Sequence, residues 1–156
     1  MIPVAHIHPM LVHFPIVFFL TLVAFDAVLI ASGRDITGRS RWGLISTGLA
    51  VLAGLSALAT FYFGGLALDV AESHGFHSDV AETHESLGTV TAIALALWAV
   101  VRIVAYWRDL RLPGVKAAAT PAIEFVGALL VAATAYYGGE LVYGLGVNVT
   151  RVTAGL

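Results

Sequence analysis

The residues of this 156-residue chain best suited to chemistry are its six histidines, and they fall in two short stretches. His6, His8 and His13 lie near the start, and His74, His77 and His84 lie near the middle. Neutral imidazole ligates most biological metals and is a usual axial ligand of haem iron. Two histidines on separate helices at one depth would hold a b-type haem, with one imidazole on each side of the iron. The set His8, His13, His74, His77, His84 and Glu140 would equally suit zinc, copper or manganese. Spacing does not choose between them. No His-Glu-x-x-His occurs, His74-x-x-His77 falls in a loop, and His84-Glu85 lacks the second histidine of a zincin helix. The absence of cysteine excludes disulfides, iron–sulfur ligation and thioether-linked haem.

The elements that must position these histidines are membrane-spanning. Only 12 % of the residues are charged and 59 % are apolar, where a soluble domain carries about a quarter charged. Four long apolar stretches, near 10–31, 43–68, 87–107 and 120–145, can each cross about 30 Å of hydrocarbon as a helix of about 20 residues. Four open strands would leave backbone groups unsatisfied in lipid. The expected fold is therefore all-α: a four-helix transmembrane bundle forming one integral membrane domain over 1–156. Residues 1–12 contain no Lys or Arg, so the first helix does not read as a cleavable signal peptide. A net charge of −2 gives no reason to propose nucleic acid.

Basic residues set an expected orientation. Arg34, Arg39 and Arg41 lie between helices 1 and 2, and Arg108, Arg111 and Lys116 between helices 3 and 4. The positive-inside rule makes both loops cytoplasmic, with Trp42 and Trp107 as interfacial aromatics beside them. Both termini and the acidic loop 69–86 would then face the periplasm of a bacterial inner membrane. All six histidines fall on that outer side, with Asp69, Glu72, Asp79, Glu82, Glu85 and Glu140, and with a single Arg, Arg151. An even scatter would rarely leave one face without a histidine.

A repeat sharpens this pattern. Ala59-Thr-Phe-Tyr-Phe-Gly-Gly-Leu at the end of helix 2 returns 74 residues later as Ala133-Thr-Ala-Tyr-Tyr-Gly-Gly-Glu at the end of helix 4. Helices 1–2 and 3–4 thus read as tandem helix hairpins related by an axis along the membrane normal. That symmetry makes the starts of helices 1 and 3 counterparts, and His13 and His84 occupy those starts. These two are the expected axial pair. Gly88, Ala92 and Ala96 follow His84 at four-residue spacing and give clearance either for a flat macrocycle or for a packed helix. Helix 2 carries a similar stripe, Ser46, Ala50 and Gly54, without a histidine.

Each of these residues also has a plainer role. His13 and His84 would serve as hydrogen-bonded interfacial histidines, with Glu82 or Glu85 holding His84. His8 would belong to an N-terminal clasp, and His74 and His77 to a solvated loop. Glu140 reads first as a histidine's partner, then as a metal ligand or a proton acceptor beside a quinol. Asp26 and Arg102 lie toward the basic-loop side, where an ion pair between them would be structural.

The stretch His8-Pro9-Met10-Leu11-Val12-His13-Phe14-Pro15-Ile16 resembles the opening signature of a bacterial membrane-protein family of unknown function. His84-Glu85-x-x-Gly88 is similar to that family's middle motif. Gly138-Gly139-Glu140-Leu141-Val142-Tyr143 and the following 144–147 are similar to its closing one. The likeness covers nearly the whole chain and implies a small multi-helix membrane domain. Relatives beside or fused to Rieske-type and cytochrome c-type domains imply a redox setting.

Three functions fit these observations. One is a membrane electron carrier binding haem b through His13 and His84, with Gly88 as clearance and a quinol or periplasmic cytochrome or Rieske-type partner. Against it stands the shortage of outer cations for the haem propionates. Another is an outward-facing zinc or copper site, against which stands the lack of a mid-membrane chain of ionisable groups. The last is a structural subunit of a larger complex or homo-oligomer. No nucleophile, acid–base pair or nucleotide loop supports a stand-alone enzyme.

Overall fold

The computed structural model describes residues 3–112, 114–147 and 149. Its elements are helical throughout. α1 (Val4–Leu11) and α2 (His13–Ala31) form the first span, α3 (Arg41–Ser73) the second and α4 (Asp79–Trp107) the third. A 3₁₀ turn (Gly114–Ala118), α5 (Ala119–Gly139) and a π turn (Glu140–Gly144) form the fourth. All four spans are long and apolar enough to cross a membrane. Large apolar side chains such as Val28, Leu55, Leu97 and Val126 point outward, as they do when the surrounding solvent is lipid.

Element ends follow local chemistry. Val12 interrupts the first span, where Pro15 lacks the N–H that would bond the Leu11 carbonyl. The Ser40 side chain caps α3 by accepting from the Gly43 N–H at 3.0 Å, and Ser78 caps α4 by accepting from Val80 N–H at 3.2 Å. Asp79 and Glu82 in the first turn of α4 complement its dipole. Several helices overrun the apolar stretches. The 33 residues of α3 span about 50 Å, against a hydrocarbon core of about 30 Å. His84 accordingly lies inside α4, five residues past its start, rather than at a helix end.

Small residues draw α3 and α4 together at the centre of the bundle. A Cβ on Gly54 would lie 3.0 Å from the Ala99 Cβ and 3.3 Å from the Ala96 Cα. The small-residue stripes of the second and third spans thus serve helix packing over this stretch. Phe19, Leu22, Ala50, Ala53, Ala57, Ala92, Leu95 and Val131 form the core. Phe19 rests on Gly127, where a Cβ would come within 2.7 Å of its ring.

Within the duplicated octamer the aromatic pairs Tyr62–Phe63 and Tyr136–Tyr137 both meet edge-on at 5.4 Å. Asp26 and Arg102 occupy matching places in α2 and α4, and there they form the anticipated ion pair at 2.9 Å. The other end of the bundle carries the two basic loops. Arg34 and Arg41 sit over the Trp42 ring, and Arg39 over that of Trp107.

Candidate functional site

At the histidine end, α3 and α5 each offer a helix face that ends in Gly-Gly. A carbonyl and the residue four positions later lie on the same face one turn apart. On α3 these are Thr60 and Gly64, and on α5 they are Thr134 and Gly138. Each pair cradles one imidazole. His8 Nδ1 donates to the Thr60 carbonyl at 2.9 Å, and His84 Nδ1 donates to the Thr134 carbonyl at 3.0 Å. A Cβ on Gly64 would lie 3.0 Å from His8 Cε1 and Nδ1, and one on Gly138 would lie 2.9 Å from His84 Cε1. The repeated Thr-x-x-x-Gly is therefore a pair of imidazole sockets.

The two rings meet between the halves. Their centroids are 6.1 Å apart and their planes cross at 77°. A carbonyl can only accept, so Nδ1 carries a proton in both rings, and in the neutral imidazole Nε2 keeps its lone pair. Metal-ligating histidines are commonly fixed in this way.

A cavity of about 370 Å³ borders the rings toward Asp69, Glu85 and Leu141, and a smaller one of about 100 Å³ borders them toward Pro15, Ala57 and Val131. His8, Phe61, His84 and Gly88 border both. Nothing lies within 4 Å of where a Gly88 Cβ would be, so its missing side chain leaves open space. Thr60 lines the smaller cavity, and its Oγ1 is buried without a hydrogen-bond partner among the described residues. Its counterpart Thr134 Oγ1 pairs with Thr91 Oγ1 at 2.7 Å. Pro15 stands at the place in α2 that Thr91 holds in α4, which leaves Thr60 unmatched.

The structure rearranges the expected ligand set. The symmetric counterpart of His84 is His8, 76 residues earlier, and not His13. Five residues of helix turn a side chain by about 140°, so His13, on the same span, points outward and is exposed. His6, His74 and His77 are exposed as well, and His74 Nδ1 bonds the Val70 carbonyl of its own helix. Among the described residues neither Glu82 nor Glu85 is hydrogen-bonded to His84, whose Nδ1 is held by Thr134. Glu140 is exposed and its carboxylate lies toward Gly144, with no hydrogen bond to a histidine among the described residues. Among those residues no three His, Asp or Glu side chains are grouped to hold a metal ion. Arg151, the one outer arginine, lies outside the described residues.

Fold and site together define a four-span membrane protein built from two similar hairpins, with paired imidazoles at one end of the seam. The family described as "Predicted membrane protein (DUF2231)" matches residues 5–151, and the chain belongs to it. No curated protein and no solved structure matches the chain.

Proposed function

We propose that the protein is a small membrane redox subunit that binds a b-type haem between His8 and His84. The observation that carries this reading is the ligand count together with the ring geometry. Structural zinc needs four protein donors and catalytic zinc three, whereas a haem supplies four nitrogens of its own and asks the protein for only two. The two imidazoles would hold the iron between them, and their centroids lie 6.1 Å apart with planes crossing at 77°. Both rings offer the required tautomer, and open space borders them.

When bound, the haem would supply a one-electron couple. The chain's own part is to hold both imidazoles rigid through Thr60 and Thr134, to keep the site within apolar walls, and to leave an opening at the histidine end. With the basic loops cytoplasmic, that opening faces the periplasm of a bacterial inner membrane. Electrons would pass there to or from a quinol or a periplasmic cytochrome or Rieske-type partner.

The test is the haem and metal content of the full chain purified in detergent from cells supplied with haem. One iron per site, extractable as non-covalent haem, supports the reading. Zinc or copper at that stoichiometry in place of iron overturns it, and so does a metal-free protein.

A further inference from the structure

At the basic-loop end, a second polar cluster lies buried within the bundle and is independent of the haem reading. Arg102 is 2 % exposed, Glu124 1 %, and Asp26 and Ser46 are fully buried. They come from all four spans: Asp26 from α2, Ser46 from α3, Arg102 and Trp98 from α4, and Glu124 from α5. The loop joining α2 to α3 completes the shell, for Arg102 Nη2 donates to the Ile36 carbonyl at 2.9 Å.

The charges in this cluster do not balance if both acids ionise. The cluster has one guanidinium and two carboxyl groups, and Arg102 Nη1 serves both carboxyls, Asp26 Oδ2 at 2.9 Å and Glu124 Oε1 at 3.4 Å. Two carboxyl groups sharing one site cannot both ionise cheaply, and an unbalanced charge inside a membrane is costly.

The hydrogen bonds show which acid yields. Asp26 uses both oxygens: Ser46 Oγ lies 2.6 and 2.7 Å from them, and Arg102 makes its shorter contact here. Glu124 is one-sided. Its Oε1 accepts from the Trp98 indole N–H at 3.1 Å and from Arg102, while its Oε2 is buried and receives no donor among the described residues. An ionised carboxylate would leave that oxygen uncompensated. A carboxylic acid has one accepting carbonyl oxygen and one hydroxyl that needs no donor, and Glu124 meets Asp26 through the Arg102 Nη1 that both contact.

We infer that Glu124 carries a proton on Oε2, so that Asp26, Arg102 and Glu124 form an electroneutral proton-holding site in the basic-loop half of the membrane. The ligand of the site is the proton itself. The Ile36 loop packs against it through the Ile36 carbonyl, and Ile36 is itself 1 % exposed. The titratable and charged groups facing it are these three alone among the described residues.

The test is infrared spectroscopy of the full chain in lipid nanodiscs at neutral pH, comparing wild type with E124Q and D26N. A protonated carboxylic-acid carbonyl band that shifts in deuterated buffer and disappears in E124Q supports the inference. A wild-type spectrum without such a band overturns it, and so does one whose band is lost in D26N but kept in E124Q. Thermal unfolding in the same nanodiscs gives an independent reading. E124Q replaces one neutral group with another, so it should melt within about 2 °C of wild type, whereas D26N removes the carboxylate that Arg102 and Ser46 both hold and leaves Arg102 only the more distant Glu124, so it should melt at least ~5 °C lower. An E124Q variant as unstable as D26N would mean that Glu124 is ionised.

Discussion

Adding one methyl group to either socket glycine should displace an imidazole, while the same change one residue later should not. In Gly64→Ala the new Cβ would lie 3.0 Å from His8 Cε1 and Nδ1, and in Gly138→Ala it would lie 2.9 Å from His84 Cε1. Carbon atoms pack best at about 3.5–4.0 Å, so the ring must retreat by roughly 0.5 Å or more. The Nδ1–carbonyl bond, now 2.9 Å to Thr60 and 3.0 Å to Thr134, would then pass about 3.4 Å, beyond the usual 2.7–3.2 Å range. Losing it costs about 1 kcal/mol and the overpacking about 1–3 kcal/mol. The better helix propensity of alanine returns about 0.5–1 kcal/mol. The net expectation is about 1–3 kcal/mol of destabilisation, or roughly 2–10 °C in Tm, with a disturbed haem spectrum. Gly65→Ala and Gly139→Ala are matched controls, because nothing lies within 4 Å of either added Cβ. They should leave the spectrum unchanged and raise Tm slightly. Thermal unfolding and optical spectra of the four variants in one detergent decide the matter. Equal behaviour of Gly64→Ala and Gly65→Ala would refute the socket.

His13→Ala should leave any haem spectrum intact, because that side chain points away from the seam; its loss would return the ligand role to His13. Thr134→Val removes the bond to Thr91 and should cost about 1 kcal/mol. Thr60→Val removes a hydroxyl with no partner among the described residues and should cost nothing measurable by chemical denaturation, since the carbonyl that holds His8 is kept. On the basic-loop surface, the Arg39 backbone N–H and then the Arg111 side chain hold the Asp109 carboxyl below its ordinary value of 3.8. The loop–loop contact it makes should therefore be complete above about pH 3.8 and lost as pH falls through the lowered value. Trp107 fluorescence, reporting through the Arg39 beside it, should show that acid transition in wild type and lack it in Asp109→Asn.

The four spans were legible in the sequence because apolar length and low charge leave no other fold in lipid. The Asp26–Arg102 pair was legible from depth along the helices. The hairpin repeat was visible in one octamer, yet its use was hidden: the threonine acts through its backbone carbonyl, which no side-chain pattern reports. The same octamer held the glycines that make room for the imidazoles, though clearance was sought at Gly88. Hydropathy alone marks helix starts near residues 10 and 87, which pairs His13 rather than His8 with His84. The first and third spans begin well before their apolar stretches, so the register shifted by five residues and the other histidine came to face the seam. Glu124 went unremarked because one carboxylate in an apolar stretch shows no partner until four helices converge on it.

The central claim is that His8 and His84 together hold one haem iron. Its most direct test is the reduced-minus-oxidised optical spectrum of the detergent-purified protein, recorded beside His8→Ala, His84→Ala and His13→Ala at equal protein concentration. A sharp low-spin α-band is expected in wild type and His13→Ala and its loss in each of the other two, because six-coordination needs both imidazoles. A colourless wild-type protein, or a band that survives removal of either His8 or His84, would contradict it.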